Sequence, residues 1–260
     1  MIQAKKSLGQ NFLNSKTVAR DIVRAAYLSS SDTVLEIGPG KGFLTSELLA
    51  SGAHVIAVEK DDRMIPLLSE KFAEEIVQKK FTLIHGDVLE ELEKKTISLP
   101  AQYKLVANIP YYLTGQIIRT FLEAKNKPIQ MVLMVQKEVA TRIVARDKKE
   151  SILSIAVKAF GDPKLIKKVP ARYFTPAPKV DSAVLSIENI SGKNFPTKKS
   201  EERFFEIVRT GFAHKRKVLS GNLKELFSDE TIEILASANI KDKTRAENLV
   251  LKDWLTLSKS

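Results

Sequence analysis

The segment Glu36-Ile37-Gly38-Pro39-Gly40-Lys41-Gly42, straight after the apolar run Thr33-Val34-Leu35, constrains the fold more than any other stretch of the chain. A strand that feeds a Gly-x-Gly turn and then a helix lets backbone approach a ligand, because glycine has no side chain in the way and tolerates positive φ. The dinucleotide fingerprint spaces its glycines Gly-x-Gly-x-x-Gly; here the third comes one position early, at Gly42. Glu59 closes the next apolar run, His54-Val55-Ile56-Ala57-Val58. It lies about twenty residues on, where a carboxylate can accept both hydroxyls of a ribose. A glycine turn alone also serves any tight strand-to-helix junction, and adding Glu59 does not choose between a nicotinamide cofactor and S-adenosylmethionine. Asp32 and Glu36, near the turn, would discourage a diphosphate, whereas the sulfonium and amine of S-adenosylmethionine are cationic. The balance leans to the latter.

A third acidic position follows the short apolar run Phe81-Thr82-Leu83-Ile84-His85. In open α/β sheets ligands sit outside the carboxyl ends of the strands, so Asp87 is placed to accept from the exocyclic amine of a cofactor adenine. Asp87 before Val88-Leu89-Glu90-Glu91-Leu92 also reads as a helix N-cap, and both roles are compatible.

The discriminating feature is Asn108-Ile109-Pro110-Tyr111, after the apolar run Leu105-Val106-Ala107. An adenine N6 amine is a poor nucleophile because its lone pair is delocalised into the ring. Accepting hydrogen bonds from both amine protons favours a pyramidal, more reactive nitrogen, and the Asn108 side-chain oxygen and Ile109 carbonyl are suitable acceptors. Pro110 fixes the turn, and Tyr111 offers a face for a splayed-out base, worth about 1–3 kcal/mol by analogy with single-strand binders. Alone, the tetrapeptide could be a strand-end turn with a packed tyrosine. With the glycine turn it points to methyl transfer from S-adenosylmethionine to a base nitrogen, which needs in-line placement and no covalent intermediate.

Absent residues exclude other chemistries. There is no cysteine, which removes the nucleophile of cytosine C5 methylation, the ligands of an iron–sulfur radical mechanism, disulfides and cysteine-based zinc sites. His54, His85 and His214 are scattered without ligand spacing and read as structural or surface residues, so no metal site is expected.

The chain resembles a known family. Lys6-Ser7-Leu8-Gly9-Gln10-Asn11-Phe12-Leu13, the Glu36–Gly42 turn, Asn108-Ile109-Pro110-Tyr111, Gln136-Lys137-Glu138-Val139-Ala140, Phe174-Thr175-Pro176-Ala177-Pro178-Lys179-Val180-Asp181-Ser182 and Arg245-Ala246-Glu247-Asn248 occur in the order found in ribosomal small-subunit RNA adenine dimethyltransferases. The resemblance runs from about Lys5 to Leu249. It implies N6,N6-dimethylation of two adjacent adenosines in the hairpin loop near the 3′ end of the 16S-type RNA. The substrate implied is a late assembling small ribosomal subunit. It also implies that Asn11 and Leu13 line the cofactor site, with Gly38 at the methionine end, Glu59 on the ribose and Asp87 on the adenine. Asn108 would bridge cofactor and target, and Phe174 would close on the face of the base opposite Tyr111. One departure stands out: many members carry Tyr-Gly before a Leu-Ser pair, where this chain has Glu150-Ser151-Ile152-Leu153-Ser154. It bears on a local loop near the target pocket and not on the chemistry.

Two rival readings carry different substrates or roles. A sister group shares Asn-Ile-Pro-Tyr and the glycine turn but methylates a large-subunit adenine and confers macrolide resistance. Phe212-Ala213-His214-Lys215-Arg216-Lys217 and Arg245-Ala246-Glu247 look more like the small-subunit group. The other rival is an assembly factor or RNA-binding module whose methylation is secondary; the intact cofactor constellation argues against lost activity.

Short apolar runs at Thr33–Ile37, His54–Glu59, Phe81–His85, Tyr103–Asn108 and Ile129–Gln136 alternate with helical patterns such as Gly42–Ala50 and Gln116–Lys125. This predicts an α/β, Rossmann-like methyltransferase domain with a parallel sheet. Ala183–Ile187 reads as a last strand, antiparallel at or near the edge. The polar stretch Ser191-Gly192-Lys193-Asn194-Phe195-Pro196 marks a boundary. Domains are therefore expected at 1–190 and 191–260, the second small and all-α, with helices at Glu201–Gly211, Lys215–Phe227 and Glu230–Ala238, the last capped by Ser228-Asp229. A net charge of +11 suits a polyanionic partner, and its distribution says more. Lys5-Lys6, Arg142, Arg146, Lys148, Lys149 and His214-Lys215-Arg216-Lys217 are clustered, either to grip RNA backbone or simply to be solvated. No apolar stretch approaches the roughly 18 residues that span a bilayer, and no apolar core follows the first basic residues. A cytoplasmic monomer that does not engage membranes is expected.

Overall fold

The structure, a computed structural model, describes residues 3–145 and 147–260, apart from the side chain of Lys6. Arg146 of the basic cluster expected above therefore lies outside the described residues. Two compact units are present: residues up to Ala140 together with Asp162–Ile190, and Thr141–Gly161 together with Ser191–Ser260.

The first unit holds β1 (Phe12–Leu13), α1 (Lys16–Ala25), β2 (Thr33–Ile37), α2 (Phe43–Ala50), β3 (His54–Glu59), α3 (Met64–Lys71), α4 (Ala73–Val77), β4 (Phe81–His85), α5 (Val88–Glu93), β5 (Lys104–Asn108), α6 (Thr114–Glu123) and β6 (Gln130–Gln136). After α7 (Lys137–Val144) and α8 (Ile152–Phe160) come β7 (Asp162–Val169), β8 (Phe174–Thr175) and β9 (Ser182–Glu188). Seven strands form one sheet in the order β4-β3-β2-β5-β6-β9-β7. Pairing is parallel from β4 to β6, and β9 runs antiparallel to both β6 and β7. Continuous apolar runs are what a sheet buried on both faces demands, and Leu105–Ala107 and Met131–Val135 are fully buried. The order in which successive strands are laid down reverses between β2 and β5, the switch point at which α/β sheets open a crevice. The glycine turn, Glu59, Asp87 and Asn108 stand at the carboxyl ends of β2, β3, β4 and β5.

The five expected strands are present to within a residue at each end. The last expected strand is present as β9, antiparallel and one place in from the edge; the edge itself is β7, which the sequence pattern does not reveal. The run Asp-Pro-Lys-Leu-Ile-Lys-Lys-Val of β7 carries proline and three lysines, residues that blunt an edge strand and hide its apolar alternation from the sequence.

The second unit contains α8 and, beyond Ile190, α9 (Lys198–Gly211), α10 (Leu219–Phe227), α11 (Thr231–Ser237) and α12 (Leu251–Leu257). Thr197 and Ser200 form a reciprocal cap at the start of α9. Phe160, Phe195, Phe204 and Phe205 interlock with ring centroids 5.1–6.0 Å apart. The boundary expected at 190/191 thus omits one piece: Thr141–Gly161 packs with the C-terminal helices, because the Phe160 ring is filled in by that aromatic cluster. Among the described residues no helix is long and apolar enough to cross a membrane.

Candidate active site

A cleft opens at the carboxyl ends of β2–β5, lined among others by Asn11, Leu13, Gly38, Glu59, Asp87, Asn108 and Tyr111. The sheet and the segment before β1 bring these expected residues together; Phe174 is the exception.

The glycine turn builds the floor. Gly38, Gly40 and Gly42 all have φ between +56° and +70°, a region that side chains penalise. They differ in what a Cβ would meet. At Gly38 nothing lies within 4 Å, so that backbone faces open cleft, whereas at Gly42 a Cβ would sit 2.6 Å from the Phe72 ring. Gly42 therefore lets α2 pack on Phe72, and Gly38 leaves room for a ligand.

Two carboxylates are buried under this turn. Glu59 is 4% exposed; its Oε2 accepts the Gly40 N–H and its Oε1 the Asp61 N–H, both at 2.8 Å. Burial raises its pKa against the lowering effect of these bonds. Glu36 is 1% exposed and accepts the Thr45 hydroxyl at 2.7 Å. Burial pushes its pKa up to about 8, a shift that Thr45 opposes and the nearby Glu59 charge reinforces. Glu36 lines the cleft as expected, but Asp32 does not. Asp32 precedes β2, at the end of the strand away from the turn, where it pairs with Lys104 at 3.0 Å. It has no bearing on which ligand the turn accepts.

Asp87 caps α5 as expected, its Oδ1 accepting the Leu89 N–H at 2.9 Å. Its Oδ2 takes the Lys60 ammonium at 2.7 Å, a partner that nothing in the local sequence signals. Burial raises the carboxyl pKa, but Lys60 and the Leu89 N–H outweigh it and hold it below the usual range. Asn108 donates its Nδ2 to the Asn11 carbonyl at 3.1 Å. Tyr111 opens a short 3₁₀ turn after Pro110, and its hydroxyl lies 2.7 Å from that of Ser182. Burial raises the phenol pKa.

Phe174 is 3% exposed and lies in the core, on β8 opposite Leu13. Its ring packs with core side chains and is not among the residues that line the cleft beside Tyr111. The exposed ring lining the cleft is Tyr112, at 62%. Residues Glu150–Ser154, expected near the target pocket, belong to the helical unit, where Ser151 and Ser154 form the cap of α8. Among the described residues no group of three or more His, Cys, Asp or Glu could hold a metal ion.

In the helical unit, residues His214–Lys217 are an exposed turn and α10 starts only at Leu219. The helix expected from Lys215 is thus shorter at its start, because buried Asn222 donates to the carbonyls of Gly211 (2.6 Å) and His214 (3.2 Å) and holds the turn out of it. Lys215, Arg216 and Lys217 form no ion pair among the described residues.

Comparison with known proteins adds an independent line. The sequence model of the family described as "Ribosomal RNA adenine dimethylase" matches residues 1–260. A ribosomal RNA small subunit methyltransferase A of Dehalococcoides mccartyi is 42% identical over 98% of this chain and 88% of its own length. The protein of that name from Clostridium botulinum is 40% identical over 97% and 92%. Among solved structures, a dimethyladenosine transferase from Plasmodium falciparum superposes with TM-score 0.81 at 27% identity, covering 95% of each chain. The 23S rRNA methyltransferase ErmE gives 0.77 at 25%, covering 96% of this chain and 98% of that one.

Proposed function

The chain belongs to the ribosomal RNA adenine dimethylase family, and from that premise we propose that it transfers methyl groups from S-adenosylmethionine to the N6 amines of two adjacent adenosines near the 3′ end of small-subunit RNA. The observation that carries the reading is the convergence of Glu59, Asp87 and Asn108 on one cleft from the carboxyl ends of β3, β4 and β5, on either side of β2. Relatives at 40–42% identity named for the small subunit favour that substrate over the large-subunit alternative.

The cofactor supplies an electrophilic methyl group on a cationic sulfur. The cleft suits it: buried Glu59 offers carboxylate oxygens, and Gly38 leaves its backbone uncovered. Glu59 takes the ribose hydroxyls, Asp87 the adenine amine, and Asn11 and Leu13 form the covering wall. Because the Asn108 Nδ2 is engaged by Asn11, its Oδ1 is the atom left to accept an amine proton of the target. Tyr111, steadied by Ser182, receives the extruded base on its ring. Held there, the target amine would have its lone pair in line to take the methyl group as the sulfur keeps the electron pair of its bond to that methyl, and the proton lost from nitrogen would pass to solvent. A second round requires room beside Asn108 for the first methyl.

The exposed turn His214–Lys217 gives the helical unit a cationic surface for RNA backbone. We read the protein as a cytoplasmic monomer acting on a late assembling small subunit. The test is tritiated methyl transfer to small subunits lacking the modification, with large subunits as control and mass spectrometry of the digested RNA. N6,N6-dimethyladenosine confined to small subunits is the expected product. Label on large subunits, methylated cytosine, or monomethyladenosine alone would overturn the reading.

A further inference from the structure

Segment Lys5–Asn14 crosses the cleft as a strap, and it is fastened at both ends. At its far end β1 pairs with β8, the Asn14 N–H donates to the Tyr173 carbonyl at 2.9 Å, and Asn14 Nδ2 reaches Thr175 Oγ1 at 2.9 Å. At its near end the anchor is Asp61, a carboxylate only 1% exposed. Asp61 accepts Gln10 Nε2 at 2.8 Å and Arg63 Nε and Nη2 at 2.8 and 2.6 Å. The Lys5 ammonium lies 3.4 Å away. Gln10 in turn accepts the Lys5 backbone N–H at 2.8 Å, and Arg63 Nη1 donates to the Gln3 carbonyl at 3.2 Å.

Between these anchors the strap fits closely. A Cβ on Gly9 would sit 3.0 Å from the Tyr112 ring, and one on Gly40 would sit 3.0 Å from the Phe12 ring. Neighbouring side chains therefore fill the space that each glycine leaves. The residue after Gln10 is Asn11, whose carbonyl takes the Asn108 amide proton. Asn11 Nδ2 also donates to the Gly9 carbonyl at 3.3 Å, which stiffens the turn.

An amide side chain can be turned end for end at little intrinsic cost, and only its partners decide which end faces the target. Here one partner is a backbone carbonyl on a strap whose position is set by Asp61 through Gln10. We propose that Asp61 is a positioning residue for the reaction: through Gln10 it seats the strap, so that the Asn11 carbonyl holds the Asn108 amide with its oxygen toward the target amine. The proposal rests on Asn108 being the acceptor of that amine. The Asp61 N–H also donates to Glu59, so the same residue joins the strap to a carboxylate of the cofactor wall.

The test is a double-mutant cycle on the full chain, with Asp61→Ala and Gln10→Ala each combined with Asn108→Ala. At saturating cofactor and subunit, Asp61→Ala and Gln10→Ala should lower kcat by roughly tenfold to a hundredfold, the scale of a misplaced catalytic group. In the Asn108→Ala background neither should lower kcat further by more than about twofold, because residues acting as one unit are not additive. Amide hydrogen exchange of residues 5–13 in the cofactor-free protein should quicken in both single variants, a readout independent of turnover. Gln10→Ala keeps the Asp61–Arg63 pair and covers the case in which Asp61→Ala does not fold. Full kcat recovery at saturating cofactor, with only cofactor affinity reduced, would leave the strap as a cofactor wall alone and overturn the proposal. Additive losses with Asn108→Ala would overturn it too. If Asn108→Ala alone retained wild-type kcat, the reading of Asn108 would fail instead, and that outcome is measured separately.

Discussion

In the cleft, Glu59 is 4% exposed and both carboxylate oxygens already accept backbone N–H groups. In the helical unit, Lys215, Arg216 and Lys217 stand exposed with no carboxylate partner among the described residues. The first arrangement fixes direction. Buried, bonded groups cannot swing, so the cleft orients a ligand at the cost of holding charge away from water. The second fixes only sign: solvated cations on long stems attract a polyanion from any approach and release one counterion per phosphate neutralised. Substitutions should therefore act differently in the two places. In the cleft they disturb geometry and chemistry; on the turn they subtract from attraction alone.

The sharpest way to break this contrast is Asn108→Ala. If the cleft acts by orientation, losing the acceptor should lower turnover by at least about 10²-fold while subunit binding stays near wild type. Single-turnover methylation and filter binding separate the two quantities. A variant that binds poorly but turns over normally would reverse the assignment. Next in size is Glu59→Ala, which removes a charge-assisted pair of hydrogen bonds to the ribose and should cost about 1.5–3 kcal/mol of cofactor affinity. Unchanged affinity by calorimetry would remove Glu59 from the cofactor site.

Glu36 sharpens the same comparison through pH. Its pKa is 4.5 in the open chain and about 8 in the fold, so between these values the folded state binds the extra proton. Stability is then present in full at the acid end of the window and falls as pH rises toward 8, by at most about 1.4 kcal/mol per pH unit. Glu36→Gln keeps the shape and an acceptor for Thr45 but cannot ionise. Its melting temperature in the cofactor-free protein should gain on wild type from pH 5 to pH 8. Parallel curves for the two proteins would mean that Glu36 is ionised in the fold.

Much of the cleft is legible in the sequence because parallel strands buried on both faces read as unbroken apolar runs. Their ligand groups then fall at one predictable end. Glu59, Asp87 and Asn108 each end or follow such a run, and the N-cap at Asp87 is visible from the helix after it. What stays hidden depends on distant partners. Asp61 is an ordinary aspartate until Gln10, 51 residues away in the chain, donates to it. Phe174 sits in a motif with a functional expectation, yet its pairing with Leu13 places the ring in the core. The edge strand β7 is masked by its own lysines. The turn His214–Lys217 reads as the start of a helix because Asn222, the residue that holds it out, looks like any polar position inside α10.

The smallest effects per residue should come from the turn itself. Lys215→Ala, Arg216→Ala and Lys217→Ala each remove one solvated cation and leave α10 and Asn222 in place. For each phosphate that is no longer neutralised, the slope of log affinity against log salt should flatten by about 0.7–0.9. The triple variant should approach three times that change if all three cations touch backbone. Because these cations carry no orientation, kcat at saturating subunit should be unaffected, and the ratio of dimethyl to monomethyl product should be that of wild type. Equilibrium binding to small subunits across a salt series, read beside end-point mass spectrometry, tests both halves at once. A slope that stays constant in the triple variant would make the turn a solvated face and move the RNA-gripping groups elsewhere. A changed product ratio would mean that the turn helps orient the target, and the division of labour between cleft and turn would no longer hold.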